Sequence, residues 1–555
     1  MELLTVEEAA LRLDLTVSAV RKMAARGQLP AIKSGKQWLI EGEGLAKPKR
    51  KTIVADPHSD VDLTTALRHI QATDLKELWV PDVLRFKDYL VEPRELISTA
   101  SERLLKAAAD PITEVAVAKT PFFTRSAVLL TIEDRVAYQA VVAAISPAIE
   151  SALPEVVYSA RLSNSTKWFL KQGTKQWVLW KERVRAEVAA KGPWLIKSDL
   201  TGFFDTIPHD LLMADIASFA EDKKIVDALS WMLSTWAIVP GRGIPQGPSA
   251  SRVLGNMYMI PIDEAMLAAG FNYSRYLDDI RIVGGSKMEV ISGLRLFEKE
   301  CRRRGLIVSS AKTSLLEGKD AQEDGAHPER DAAQYFFEIR ALRPARRELK
   351  KILRTALKDD GHIDQRDVRF SLWRLSKIRE YTVLGLTLKR LEDLAPVASV
   401  VAAYLKHFVH RQITVNGISR FLSDSSRVHS TYLVTWLFAV MLERRGIMPE
   451  GWAHQARLTV RDKNQPAYLR AVAAVVMARG GKRYDISWIR SQMREERDVT
   501  LLRGYATALA WTGNLSPVDH MVLKQKGPAL VRTSAYLATA QQLPSLIDSS
   551  LLAGI

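Results

Sequence analysis

Residues 273–283 read Tyr-Ser-Arg-Tyr-Leu-Asp-Asp-Ile-Arg-Ile-Val, and this stretch decides the fold. Apolar and aromatic residues flank an adjacent Asp278–Asp279 pair, which predicts a β-hairpin with two carboxylates at its tip. In a regular strand, alternation would put Tyr276, Asp278 and Ile280 on one face and Leu277, Asp279 and Arg281 on the other. A turn at the pair instead lets both carboxylates approach one cation. Earlier in the chain, Pro193-Trp-Leu-Ile-Lys-Ser-Asp199 is an apolar run ending in a third carboxylate, followed by Leu-Thr-Gly-Phe-Phe-Asp-Thr-Ile-Pro-His209. Three carboxylates supply the hard oxygen donors that Mg²⁺ takes. Without a cation they would repel and raise each other's pKa. Two such ions about 4 Å apart activate a hydroxyl nucleophile and stabilise a leaving phosphate.

Between these elements lies Gly243-Ile-Pro-Gln-Gly-Pro-Ser-Ala-Ser-Arg-Val-Leu-Gly-Asn256, a Gly/Pro-rich loop running into a helix. The order of parts resembles the palm of reverse transcriptases. Asp199 with Phe203-Phe204 and Ile207-Pro208 is similar to the first catalytic motif of that family, Pro245-Gln246-Gly247 to its second, and Tyr276-Leu-Asp-Asp279 to its third. Val115-Ala-Val-Ala-Lys119, Arg125 and Thr131-Ile-Glu-Asp-Arg135 resemble the fingers of group II intron and retron-like enzymes, and Val157-Tyr-Ser-Ala-Arg161 resembles their next block. Gly305-Leu-Ile-Val-Ser-Ser-Ala-Lys-Thr313 resembles the motif whose lysine protonates departing pyrophosphate. The resemblance implies catalytic Asp199, Asp278, Asp279 and Lys312, and a metal set of Asp199, Leu200, Asp278 and Asp279 holding two Mg²⁺ ions, for which Mn²⁺ substitutes. It implies nucleotide binding by Lys119, Arg125, Phe204 and Gln246. Lys119 and Arg125 would clamp the triphosphate, Arg125 through its bidentate fork. Phe204 would exclude a 2′ hydroxyl, and Gln246 would pack against the template–nucleotide pair, where flanking glycines permit close approach.

A chain of 555 residues with 47% hydrophobic and 26% charged residues is expected to fold nearly throughout, as three or four domains. Lys and Arg number 79 against 63 Asp and Glu, a formal charge of +16, which favours a polyanionic partner. The sole cysteine, Cys301, excludes a disulfide framework or Cys-based zinc site within the chain and fits a reducing compartment. The N-terminus lacks a basic start followed by an apolar run, and no stretch of about 18 uninterrupted apolar residues occurs. A soluble, cytoplasmic protein without a membrane partner is expected.

The predicted fold is multidomain α+β: a winged helix-turn-helix at 1–42, a basic linker at 43–59, a right-hand polymerase fingers-palm at 60–330 and an all-helical C-terminal part at 331–555. Thr5 and Glu8 form a capping-box signature, a second helix is expected from Thr16, and Ser34-Gly35 reads as the turn of a hairpin. This segment resembles the excisionase and MerR-like winged helix-turn-helix family, which implies that Ser18, Arg21, Lys22 and Arg26 face DNA while Lys33, Lys36 and Trp38 lie on the wing. Beyond about 345 the spacing is helical, for example over 397–408 and 469–477, with stacked helical hairpins as one reading. His407, His410 and Trp436 lie among apolar neighbours and read as core. Arg343, Arg346, Arg347, Lys350 and Lys351 read either as a nucleic-acid channel or as a solvated helix face.

The long helical tail resembles the architecture of abortive-infection and defence-associated bacterial reverse transcriptases. That resemblance implies RNA-directed DNA synthesis in antiphage defence, with an RNA template, a DNA product, deoxynucleotides and further copies of the chain as partners, and protein-primed or untemplated synthesis among its modes. Two alternatives stand beside it: a retron-like enzyme with a dedicated non-coding RNA, and a DNA-binding regulator whose palm is inactive.

Overall fold

The computed structural model describes residues 3–13, 17, 20, 24, 31–34, 37–41, 61–76, 79–120, 122–357, 362–424 and 430–547. The chain divides into two compact units, 1–59 and 60–555. In the first, the Thr5–Glu8 capping box forms as expected: the Glu8 carboxylate accepts from the Thr5 N–H and Oγ1 at 2.8 Å, and the Glu8 N–H donates to Thr5 Oγ1 at 3.2 Å. It opens helix α1, Val6–Leu13. Strands β1 (Leu3–Thr5), β2 (Ala31–Ser34) and β3 (Gln37–Glu41) form an antiparallel sheet in the order β1-β3-β2, with Ser34 opposite Gln37. Val6, Ala9, Ala10, Val20, Ala24 and Ile40 make its small core. Ser18, Arg21, Lys22, Arg26, Lys36 and the linker at 43–59 lie outside the described residues.

The second unit opens with helices and a two-stranded fingers hairpin, β4 (Thr113–Ala118) and β5 (Thr124–Leu129). The palm is a four-stranded antiparallel sheet in the order β7-β8-β6-β9, built from β6 (Trp194–Ser198), β7 (Asn272–Tyr276), β8 (Asp279–Gly284) and β9 (Ser314–Glu317). Its buried positions, including Leu195, Ile196, Ile280, Ile282 and Val283, are the apolar residues of the predicted strands. Helices α2 (Ile132–Ala152), α3 (Gly173–Lys191), α4 (Phe203–Thr206), α5 (Ser249–Ala268) and α6 (Lys287–Arg303) pack around it. Buried faces of α2, α5 and α6 share one core with β6, β7 and β8.

From residue 328 onward every helix or strand element among the described residues is a helix. Helices α7 (Pro328–Glu338), α8 (Leu342–Ala356) and α9 (Gln365–Lys377) pack in sequence, so the boundary expected between 330 and 331 falls inside α7. There follow α10 (Leu384–Lys389), α11 (Ala398–Leu405), α12 (Gln412–Ser423), α13 (Thr431–Leu442), α14 (Glu450–Arg461), α15 (Ala467–Ala478), α16 (Arg483–Glu495), α17 (Val499–Trp511), α18 (Pro517–Gln525) and α19 (Pro528–Thr539). Odd-numbered helices from α9 to α19 each pack on the next odd one, and even-numbered helices pair in the same way except at α14 and α16. The result is a two-layer stack of helical hairpins. Inner helices such as α13 and α15 are buried almost all round, whereas outer ones such as α14 and α16 bury one stripe. That difference follows from whether a helix has one or two apolar neighbours. Val115, Val117 and Ala127 of the fingers hairpin belong to the same core as this stack. Trp436 is buried and His407 half-buried, but His410 is exposed, because it follows the last apolar turn at Phe408–Val409. No helix among the described residues is long and apolar enough to cross a membrane.

Candidate active site

The palm sheet brings the two ends of the sequence motif together. Pairing of β6 with β8 sets Ser198 opposite Ile280, so Asp199 emerges beside Asp279. The alternation of a regular strand is interrupted at the acidic pair, as the hairpin reading expected. Strand β7 ends at Tyr276 and β8 starts at Asp279, with Tyr276 and Asp279 paired across a two-residue turn. Leu277 takes the left-handed conformation there, φ +60°, which fits the φ > 0 requirement of tight hairpin turns. The turn is what places both carboxylates at the tip. Asp199 is buried and Asp278 and Asp279 are half-buried. Burial, then Asp199, then Asp279 push the Asp278 carboxyl up to about 7. Burial also raises Asp279, against the pull of Arg281.

Lys312, in the turn before β9, forms an ion pair with Asp199. The segment is fixed by Ser309 N–H donating to the Asp199 carbonyl and Thr201 N–H donating to the Ile307 carbonyl, both at 2.8 Å. These bonds flank the Leu200–Val308 bridge, so the Leu200 carbonyl points to the opposite edge. Among the described residues no three His, Cys, Asp or Glu side chains stand gathered around a metal position. Lys312 engages the Asp199 carboxylate instead.

The loop expected to contact the nucleotide is laced to the segment after Asp199. Gly243 N–H donates to Ile207 carbonyl at 2.8 Å and Ile244 N–H to Phe204 carbonyl at 2.9 Å. Gly243 has φ +90°, and a Cβ there would stand 3.3 Å from the Asp205 carbonyl oxygen, so glycine is required twice over. Gln246 donates from Nε2 to Asp205 Oδ1 at 2.7 Å, and its carbonyl accepts from Trp79 Nε1 at 3.2 Å. Phe203 is buried in the palm core while Phe204 is half-buried, their rings 5.2 Å apart. Gly255 makes room for both: its Cβ would lie 3.0 Å from Phe203 and 3.2 Å from Phe204.

Lys119 and Arg125 are exposed at the turn end of the β4–β5 hairpin. Both lie within electrostatic reach of Asp205, whose carboxyl burial raises while the Gln246 hydrogen bond and the two cations oppose that rise. The structure thus brings Asp199, Asp278 and Asp279 to one end of the palm sheet, with Lys312 on Asp199, and sets Gln246 on Asp205 with Lys119 and Arg125 within electrostatic reach of that carboxylate. Asp205 was missed by sequence reasoning. Its signal was its place in Phe-Phe-Asp, on the turn of α4 that also carries Phe204.

Behind the hairpin two buried ion clusters hold it. Arg275 on β7 makes two 2.7 Å bonds to Asp263 on α5, another to Asn256 Oδ1, and reaches the Leu277 carbonyl at 3.3 Å. The Val157 block pairs with β7 through Tyr158 N–H to the Arg275 carbonyl, 3.1 Å. Arg281 on β8 and Lys181 on α3 share Asp324, at 2.7 and 2.6 Å. The basic residues of α8 line an open concavity with Arg354 and Thr355, where Arg346, Arg347 and Lys351 are ion-paired with Glu380, Glu348 and Glu329.

Residues 119–388 match the family described as reverse transcriptase (RNA-dependent DNA polymerase), and residues 3–47 match a helix-turn-helix domain family. Residues 119–388 thus carry the likeness to a reverse-transcriptase domain and residues 3–47 the likeness to a helix-turn-helix domain. It is similar to a putative COX1/OXI3 intron 1 protein of Saccharomyces cerevisiae, 28% identical over 116 residues, 20% of this chain and 14% of that one. It is also similar to an uncharacterized 91 kDa protein in the cob intron of Schizosaccharomyces pombe, 32% identical over 88 residues, 14% of this chain and 11% of that one. The matched stretches are a small fraction of either relative. Among solved structures, the telomerase of Candida albicans, in complex with a fragment of telomeric RNA, aligns with a TM-score of 0.30 at 10% identity, covering 57% of this chain and 64% of that one.

Proposed function

We propose that the chain is an RNA-directed DNA polymerase that adds deoxynucleotides to a 3′ hydroxyl or a protein hydroxyl, acting in the cytoplasm in antiphage defence. The observation that carries the polymerase reading is the meeting of Asp199, Asp278 and Asp279 at the hairpin tip, where burial, then Asp199, then Asp279 push the Asp278 carboxyl up to about 7. Crowded carboxylates of this kind are relieved by a hard divalent cation. Asp199, Asp278, Asp279 and the Leu200 carbonyl would hold two Mg²⁺ ions, or Mn²⁺, which supply activation of the attacking hydroxyl and neutralise the phosphates.

The protein's own groups do the rest. Asp278 gives up its proton before it can serve as a ligand. Lys312, held beside Asp199, delivers a proton to departing pyrophosphate. Lys119 and Arg125 bind the triphosphate, Phe204 stands beneath the sugar, and Gln246, tied to Asp205, fixes the loop under the base pair. Arg21, Lys22, Arg26 and Lys36 are the proposed DNA contacts of the N-terminal unit. The defence role rests on the long helical stack that follows the palm, and oligomerisation belongs to the same reading.

The test is incorporation of labelled deoxynucleotides with Mg²⁺, with and without RNA template and primer, beside an Asp278→Ala, Asp279→Ala variant. Synthesis that the variant loses is expected. Equal synthesis by the variant would sink the assignment. The helix-turn-helix match favours a second reading, a DNA-binding regulator with an inactive palm, which predicts no synthesis and a variant that functions as wild type. A single defined RNA co-purifying with the protein would point to a retron-like enzyme.

A further inference from the structure

Helix α9 belongs to the helical part, yet its first turns face the catalytic groups. Gln365 donates to the Lys119 carbonyl of the fingers hairpin, and Phe122 at that hairpin's tip packs against His362, ring centroids 5.8 Å apart. Arg366 lies over the Trp177 ring at 5.2 Å, and Trp177 packs at 5.0 Å on Tyr276, the last residue of β7. Arg330 of α7 with Gln365, Arg366, Arg369 and Phe370 of α9 lines a cavity of about 440 Å³. That size falls in the range of small-molecule sites, about 300–1,000 Å³.

The cavity is crowded with positive charge. Arg330 is ion-paired with Asp367. Among the described residues no carboxylate forms an ion pair with Arg366 or Arg369. Arg369 spends one donor on the Pro396 carbonyl, 3.1 Å away, and its buried Nε has no partner. Burial and then Arg330 hold Arg366 below the usual arginine range, while Asp279 pulls it the other way. Burial also lowers Arg369, with Arg125 adding repulsion. The pocket therefore stands within electrostatic reach of Arg125 on one side and Asp279 on the other. Arg369 is half-buried, and a desolvated guanidinium without an ion-pair partner is costly. Arg366 is exposed, with Asp279, Asp364 and Asp367 acting on it only at a distance, and the planar forks of both suit phosphate oxygens bidentately.

We propose that this pocket binds the polyphosphate of a nucleoside triphosphate, Arg366 and Arg369 of the helical part completing a clamp begun by Lys119 and Arg125 of the fingers. This rests on the polymerase reading for its substrate, and it makes the helical part a contributor to nucleotide binding. Product pyrophosphate shares the same chemistry and would leave from the same groups.

The test is calorimetric titration of the full-length protein with inorganic tripolyphosphate, dGTP and deoxyguanosine, for wild type, Arg366→Gln, Arg366→Lys, and Arg366→Gln with Arg369→Gln. Thermal melts establish that each is folded, and the single Arg366 variants, which break no ion pair, stand in if the double variant does not fold. Expected are a loss of tripolyphosphate and dGTP affinity of tenfold or more in the Gln variants, only partial recovery in Arg366→Lys, and no change for deoxyguanosine. Unchanged tripolyphosphate and dGTP affinities would overturn the proposal. So would weakened binding of a single-stranded oligonucleotide with dGTP binding intact, which assigns the pocket to a nucleic-acid backbone. If Asp278→Ala, Asp279→Ala leaves synthesis intact, the polymerase reading falls, whereas Arg366-dependent tripolyphosphate binding would still stand.

Discussion

Asp278 is the residue at which folding and chemistry oppose each other. Its folded pKa is raised to about 7 by burial and by Asp199 and Asp279, from an unfolded value near 3.9. At alkaline pH both states are ionised, and the folded state carries the cost of a crowded, half-buried charge. As the pH falls from 7 towards 4 the folded carboxyl is protonated and the cost disappears. Asp278→Asn is therefore expected to raise stability at pH 8 in the absence of divalent ions by about 1–3 kcal/mol, discounted for partial exposure. Thermal melts across pH 4–8 check this, and the gain should shrink steadily towards pH 4. Added Mg²⁺ should stabilise wild type more than the variant. The adjacent carboxylates and Asp199 were legible in the sequence as one set. The part played by Asp205 was not, since only the fold shows Gln246, Lys119 and Arg125 around it.

At the scale of the element, the hairpin depends on Arg275. This guanidinium is fully buried, satisfies Asp263 twice over, and reaches the Leu277 carbonyl at the left-handed turn. Removing one partner of such a pair leaves an uncompensated buried charge, at a cost of about 3–5 kcal/mol. Arg275→Ala is expected to lose that much stability in urea unfolding, and Arg275→Met with Asp263→Leu to recover part of it. Additive losses in the double variant would mean the two groups do not act together. The β-hairpin itself was plain from alternation and the acidic pair. The turn at the acidic pair belonged to that reading; its bounds did not, and only the Tyr276–Asp279 pairing shows where the strands stop.

For the whole molecule, residues 60–555 form one unit, and the C-terminal helices are tied to the segment before the fingers. Arg503 on α17 bonds to Asp82 and Asp88, Thr533 on α19 to Asp88, and Arg532 on α19 to Glu133 on α2. Segment 82–88 holds Arg85 and Phe86 in left-handed conformations, φ +53° and +54°, which only surrounding contacts sustain. Arg503→Met should cost about 3–5 kcal/mol, since two carboxylates lose their partner. Unfolding curves and proteolysis report it, and early release of the helical part with the palm left intact would show that the two are separable.

Local chemistry determined much of this protein from its sequence: the β strands of the palm, the order of its motifs, the glycine-bearing loop, the capping box at Thr5 and the helical character of the tail. These features repeat every two or three to four residues, or depend on neighbours in the chain. Tertiary structure alone decided that Gln365 meets Lys119, that Arg366 comes within electrostatic reach of Asp279, and that Arg503 closes on Asp82 and Asp88. The reason is that these charges are far apart in sequence, and no periodicity reports which buried cations the packing of two layers of helices will bring to one carboxylate or one cavity.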